Sequence, residues 1–550
     1  MKKIIAGTIG NCVHVAGTVN FLSLAEREGY QTKFLGAALT VDKLLDAVKE
    51  EMPDIVGVSY RLTPEPLKAI LEELKEKIQL FGMNNIKWVF GGTEPTSIVA
   101  EQSGIFSVIF NGVEDLEEVI AFLKGRRLYE TEQYSSDLIS RIKSKYPYPI
   151  LRHHLGLPTL EETIESVKKV AEARVLDVIS IAPDQNAQEY FFEQDKMDHR
   201  LDGAGGVPVR SKSDFEAIYE ASQRGNFPLL RCYSGTKNLI SFANMLNQTI
   251  KNAWCAVPLC WYNILDKRGP RAVRDSVREN QLVMKWHGER GIPVEVNESH
   301  HWSLRDAHDA IGVVTAFLAA YNAKKMGVKD YIAQFMFNVP PSMSPEKDLA
   351  KMLAKIEMIE SLQDDSFTVY RQARAGLASL PSDLYSAKGQ LAASAYLSMA
   401  IRPHIYHVVG YCEAHHAATA KDIIESCKIV KGVIRNTLLG TVDATIDKQV
   451  QHRKNELIKE AKIILDALRY LNKKVDDPWA DADTIARAIE LGILDAPHLK
   501  GNPAACGKLV TRMHKGALYA CDPEQNRLLS EEARIVNILS QYKDKEEVSA

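Results

Sequence analysis

The chain has 550 residues, too many for one ordinary hydrophobic core, so two or three domains are expected. Hydrophobic residues make up 45% and charged residues 25%, the balance of a soluble globular protein. The net charge of −3 gives no electrostatic reason for a nucleic-acid or anionic-membrane partner. No run of eighteen apolar residues occurs, and the apolar stretch after Lys2 and Lys3 is too short for a secretion signal. The eight cysteines are scattered without a CxxC pair, which argues against a thiolate zinc site and against a disulfide framework. A cytoplasmic homodimer with reduced thiols and a small-molecule substrate is the expectation.

From Lys2 to Arg127 short β-rich runs alternate with amphipathic helices. The predicted strands are Lys3–Thr8, Thr32–Gly36, Asp54–Ser59, Lys87–Phe90 and Ser107–Phe110. Helices are predicted over Gly17–Glu28, Val41–Glu51, Pro64–Leu80, Ser97–Gln102 and Asp115–Lys124. This alternation predicts a doubly wound, flavodoxin-like α/β domain over 1–127, with ligands beyond the carboxyl ends of its strands. A charged linker carrying one helix is predicted over 128–147.

From 148 to 440 the alternation resumes with longer spacing. Eight strands are predicted: Tyr148–Leu151, Asp177–Ala182, Pro228–Cys232, Trp254–Leu259, Pro293–Val296, Asp330–Phe337, Ser366–Tyr370 and His404–Val409. Eight strands with intervening helices predict a (β/α)8 TIM-type barrel. Its active site belongs at the C-terminal ends of the strands, where Arg152, His153, His154, Arg231, Tyr233, Arg371, Arg374 and several further histidines are expected as rim residues. Residues 441–550 are expected to add a long helix, Asp443–Asn472, and a small mixed α+β tail.

The segment Cys12-Val13-His14-Val15-Ala16-Gly17 directly follows the first strand. Ser59 ends the third strand after 41 intervening residues, and Gly91-Gly92 ends the fourth. This resembles the pattern of cobalamin-binding domains, Asp-x-His-x-x-Gly, a distant Ser-x-Leu, and Gly-Gly. The resemblance implies a cobalamin held by His14, Gly17, Ser59, Leu62, Gly91 and Gly92, with His14 as axial ligand of cobalt. Ser59 would bond the displaced benzimidazole tail, and glycines without Cβ would let that tail pass. Two positions depart from the pattern. Cys12 stands where an aspartate would orient the histidine, and Arg61, with Leu62 beside it, stands at the leucine. A ligating histidine normally donates its other ring N–H to a carboxylate or carbonyl, so Asn11, Thr8 or a backbone carbonyl is expected to replace that partner.

The stretches Leu229–Thr236, Gly291–Glu298 and Gly410–Ala414, with the tail around 502–508, resemble the barrel subunit of glutamate (methylaspartate) mutase. In that family the cobalamin domain is a separate chain. The resemblance implies adenosylcobalamin as cofactor and radical chemistry, in which a substrate hydrogen leaves, a group migrates and the hydrogen returns. It implies that Arg152 and Arg231 grip substrate carboxylates, that Tyr262 faces the substrate and that Glu413 contacts the adenosyl ribose. The family's third arginine falls near Gln188, its amino-receiving glutamate near Ala256, and its lysine at Val409. A substrate other than glutamate is therefore expected. The alternatives are a corrinoid methyltransferase, a non-catalytic corrinoid carrier or sensor, and a metal site built on His300, His301, His404, His407, His415 or His416.

Overall fold

The computed structural model describes residues 2–112, 114, 116–125 and 134–549. The chain folds as two compact units, Met1–Gln133 and Tyr134–Ala550. Of the predicted linker, 128–133 lies outside the described residues, as do Arg127, which ends the first predicted domain, and Asp115, the first residue of its last predicted helix.

In the first unit, β1 (Lys3–Thr8), β2 (Gln31–Phe34), β3 (Ile55–Tyr60), β4 (Lys87–Gly92) and β5 (Val108–Phe110) form a parallel sheet ordered β2-β1-β3-β4-β5. The helices between and after them are α1 (Ala16–Arg27), α2 (Val41–Glu51), α3 (Pro64–Leu80), α4 (Glu94–Ser103) and α5 (Leu116–Leu123). Alternate strand residues serve opposite faces. Ile4, Ala6, Ile55 and Val89 pack with α1 and α5, whereas Ile5, Val56, Val58 and Phe90 pack with α2, α3 and α4. Right-handed crossovers produce this division. The chain reverses direction between β1 and β3, which opens the crevice used by ligands of such sheets.

The second unit begins with α6 (Leu138–Lys145). It then builds a parallel barrel from β6 (Ile150–Leu155), β7 (Val178–Ile181), β8 (Leu229–Cys232), β9 (Cys255–Val257), β10 (Val294–Val296), β11 (Asp330–Phe337), β12 (Thr368–Ala375) and β13 (Ile405–His407). The first and last strands of the hydrogen-bonded order meet: Ala253 N–H donates to Leu230 O at 2.9 Å and Ser234 N–H to Ala256 O at 3.2 Å. Main helices such as Leu160–Glu172, Asp309–Lys325 and Ala420–Leu438 surround the barrel. Ile150, Val178, Trp254, Ile332, Tyr370 and Ile405 close its floor, against Leu138 and Ile142 of α6. The helix Lys448–Leu471 leads on to the antiparallel strands Thr511–His514, Ala517–Asp522 and Arg527–Leu528. No helix among the described residues is long and apolar enough to cross a membrane.

All eight predicted barrel strands are present, and two are longer than expected. β6 continues through Arg152, His153 and His154, and β12 continues through Arg371 and Arg374. These residues were expected beyond the strand ends; they lie within the strands. The inward face of this barrel is polar above its floor, so the hydropathy alternation that marks a half-buried strand is lost while the ladder continues.

Candidate functional site

The first unit presents a crevice at the carboxyl ends of β1, β3 and β4. Thr8, Ser59 and Gly91 are register partners on these strands and share the face toward α1 and α5. One row lower lie Ala6, Gly57 and Val89. Small residues in both rows keep side chains out of the space above them. A Cβ on Gly91 would meet nothing within 4 Å. Gly92 differs: its Cβ would collide with Thr96 Oγ1 and lie 2.6 Å from Phe90, so this glycine serves the packing of α4. Opposite the sheet, Thr18 on α1 is buried, and its hydroxyl has no hydrogen-bond partner among the described residues. A buried hydroxyl without a partner is costly unless a ligand completes it.

His14 is exposed on the loop between β1 and α1, and Val15 begins α1 without a side-chain cap. Cys12 is fully buried beneath it, with Sγ 3.9 Å from His14 Nδ1 and accepting the Arg61 N–H at 3.3 Å. The thiol therefore occupies the orienting position itself. Thr8 is not the substitute: its hydroxyl donates to Cys12 O and accepts Ala38 N–H at 3.1 Å. With Nδ1 over the sulfur, Nε2 is the ring nitrogen left for a ligand. Gly17 is exposed on α1, and Leu62 packs against the opposite layer, away from Ser59.

In the barrel a polar layer rests on the apolar floor. Arg152 (β6) donates to Ser180 Oγ (β7) at 2.8 Å and contacts His407 Nδ1 (β13) at 2.9 Å. Arg231 (β8) donates to Glu295 Oε2 (β10) at 3.2 Å and lies 3.4 Å from Ser180 Oγ. Glu295 also accepts Trp254 Nε1–H at 2.7 Å and stands 4.0 Å from Arg152. All three charged residues are buried. The indole of Trp254 lies beneath both guanidiniums, 5.7 and 5.1 Å from its ring. Gln334 and Gln372 complete the layer, 3.3 Å apart, with His300 Nδ1 3.0 Å from Gln334.

Above this layer, Tyr233 stacks on His154 and its hydroxyl lies 2.8 Å from His154 Nε2. The histidines around this layer are held neutral. Burial, with nearby Arg152 and Arg374, lowers His153 to about 4 and pushes His154, His300 and His407 well below their ordinary range. Burial pushes the Glu295 carboxyl upward, but Arg231 and Arg152 outweigh it and hold the group below its ordinary value.

The expected substrate residues are not all in this layer. Arg152 and Arg231 share it. Tyr262 sits on the loop after β9 at φ +66, its ring against His301. The Gln188 side chain is turned to Pro183 O at 2.8 Å. Glu413 lies exposed on the loop after β13, and burial of its carboxyl raises it while Arg374 lowers it. Glu295 and Gln372 escaped sequence reasoning. Their signals were present: Val294-Glu295-Val296 and Gln372-Ala373-Arg374-Ala375 alternate with the period of a strand whose inward face is polar. Of the histidines weighed for a metal, only His416 joins a group of possible ligands among the described residues, with Cys412 and Asp422. Asp422 is already the capping acceptor of Thr419 N–H and accepts Tyr411 O–H.

A doubly wound sheet with a loop histidine, open space above Gly91 and a Thr18 hydroxyl unpartnered among the described residues defines a ligand-binding domain of the flavodoxin-like type. Residues 2–121 match the B12 binding domain family, so the first unit carries a cobalamin-binding domain. Among solved structures the chain is similar to a novel cobalamin-binding protein from Desulfitobacterium hafniense DCB-2, at 26% identity and a TM-score of 0.20, over 22% of this chain and 56% of that one. It is also similar to the cobalamin-dependent S-adenosylmethionine radical enzyme OxsB with aqua-cobalamin and S-adenosylmethionine bound, at 10% identity and a TM-score of 0.19, over 88% of this chain and 70% of that one. The chain thus spans just over half the length of the first. At these TM-scores neither similarity bears on function, and the domain match carries the assignment.

Proposed function

We propose that the chain is an adenosylcobalamin-dependent radical isomerase acting on a small carboxylate in the barrel. One observation carries this reading: a barrel in the same chain as a B12 binding domain holds a buried layer with Arg152 and Arg231 on neighbouring faces of one carboxylate, Glu295. A layer of guanidiniums and neutral imidazoles suits a reaction needing no strong protein acid or base.

The cofactor fits the first unit. Ser59, Gly91 and Thr18 border the slot for the nucleotide tail, and His14 Nε2 is the nitrogen for the lower face. When bound, adenosylcobalamin supplies the radical chemistry. Arg152 and Arg231 orient the carboxylate, Tyr233 and His154 cover it, and Glu413 is the polar group for the adenosyl ribose. The substrate differs from glutamate because Gln188 and Ala256 cannot supply a cation or a carboxylate.

Incubation with small carboxylates and adenosylcobalamin tritiated at the 5′ carbon tests this reading. Tritium in the recovered acid is expected. Methyl transfer from a donor without tritium transfer would make the chain a corrinoid methyltransferase, and neither reaction would make it a carrier. His14→Ala is expected to change the visible spectrum of the bound corrinoid. Cys12→Asp, a stronger partner for Nδ1, is expected to strengthen the nitrogen-ligated form; identical spectra in all three proteins would remove His14 from the cobalt.

A further inference from the structure

The barrel interior holds Arg152, Arg231 and Arg374 with Glu295, while Glu413 on the loop after β13 acts on Arg374 from longer range, and these arginines are not equivalent. Arg152 and Arg231 are anchored to Ser180 and to the vicinity of Glu295. Arg374 is different. It lies on β12, in register with His407 on β13, which is in register with Arg152 on β6. Strand alternation turns it inward: Tyr370 belongs to the floor, Gln372 bonds Gln334 in the polar layer, and Arg374 is the next residue on that face. It is 8% exposed. Its Nε–H donates to Ala375 O at 3.2 Å, and no carboxylate lies within ion-pairing distance among the described residues. Its terminal nitrogens make no hydrogen bond among the described residues.

We propose that Arg374 is the primary anchor for the substrate carboxylate, and that the substrate is an acid without an ammonium group rather than an amino acid. This rests on the barrel being the substrate site and names its ligand class. An unpaired guanidinium more than nine-tenths buried is costly until an anion completes it. Arg374 thereby takes, from β12, the place of the cation that Gln188 cannot provide. Glu295 does not create a site for an ammonium group. It faces two guanidiniums, and with the lumen histidines neutral an added cation would meet a net positive wall. Glu298, the nearest other buried acid on this strand's loop, is committed to the amides of Leu259 and Cys260.

Calorimetric titration of the full chain with succinate and glutarate, with aspartate and glutamate as their aminated counterparts and succinamide as the neutral one, tests the proposal. The two diacids are expected to bind, their amino-acid counterparts at least tenfold more weakly, and succinamide not at all. Arg374→Gln is expected to weaken diacid binding at least tenfold and Arg374→Lys less. Without ligand, Arg374→Gln and Arg374→Met are expected to melt at or above the parent temperature, because an unpaired buried charge is removed; a merely structural arginine would lower it. Equal binding by parent and Arg374→Gln, equal binding of aspartate and succinate, or no diacid binding by the parent would overturn the proposal. Diacid binding through Arg374 without tritium transfer would retain the anchor and reject the isomerase. Tritium transfer with KM unchanged in Arg374→Gln would do the reverse.

Discussion

At the scale of single residues, Glu295 decides whether the polar layer can exist. Burying a charge costs several kcal/mol unless it is paired, and here one carboxylate serves two buried guanidiniums and an indole N–H. Glu295→Gln keeps the shape and a hydrogen-bonding oxygen but leaves Arg152 and Arg231 without a counter-charge. A loss of about 3–5 kcal/mol is expected, read as a lowered denaturant midpoint. The double variant Glu295→Gln, Arg231→Met is expected to recover part of that loss, since one of the stranded cations is removed with its partner. Simple additivity of the two single changes would show that the pair is not coupled. The functional weight of Glu295 was hidden in the sequence because one acidic residue between two valines resembles a solvent-facing strand position. Only closure of the sheet reveals that its face is the lumen.

At the scale of elements, the two glycines that end β4 have opposite duties. A Cβ on Gly91 meets no neighbour within 4 Å, and valine suits a strand. Gly91→Val is expected to fold as stably as the parent and bind cobalamin at least tenfold more weakly, because its methyls occupy the tail's path. Gly92→Ala should lose about 1–3 kcal/mol of stability, since its Cβ meets Thr96, Phe90 and the Tyr60 carbonyl. Thermal melts and corrinoid titrations of both proteins separate packing from binding; a Gly91→Val protein that binds cobalamin normally would place the tail elsewhere. This distinction was beyond the sequence, where Gly91-Gly92 forms one motif. The strands themselves were legible wherever apolar alternation held, as in Lys3–Thr8 and Asp330–Phe337. They were cut short where the inward residues turned polar, at His153-His154 on β6 and beyond Tyr370 on β12. The contact of Cys12 Sγ with His14 Nδ1 was less legible, because a thiol carries no charge pattern and its nearness to His14 arises from a turn.

At the scale of the whole barrel unit, five buried or half-buried histidines make its stability a function of pH. His153 is lowered to about 4, and His154, His300, His301 and His407 are pushed well below the ordinary 6.5, in each case first by burial and then by nearby cations. A histidine depressed in the folded state stays neutral as the pH falls past 6.5, while the unfolded chain takes up the proton. The unfolded state then binds more protons, so stability rises with pH and is lost on acidification, starting near 6.5 and continuing toward 4 for His153. Glu295, depressed by Arg231 and Arg152, adds to the loss in the same direction below the ordinary carboxylate range. Each fully shifted histidine contributes up to about 1.4 kcal/mol per pH unit within its window. Several acting together should lower the denaturant midpoint of the barrel transition sharply between pH 7 and pH 5.5. Above pH 7 the midpoint should level off, since the histidines are then neutral in both states. A midpoint that is flat from 7 to 5.5 would mean that the imidazoles gain protons inside the folded barrel, making the lumen more strongly cationic in acid than at neutral pH. Diacid binding measured over the same range distinguishes the two cases. It should change little between pH 8 and 6.5 if the anchoring charge belongs to arginine, and strengthen steadily toward acid if it belongs to histidine.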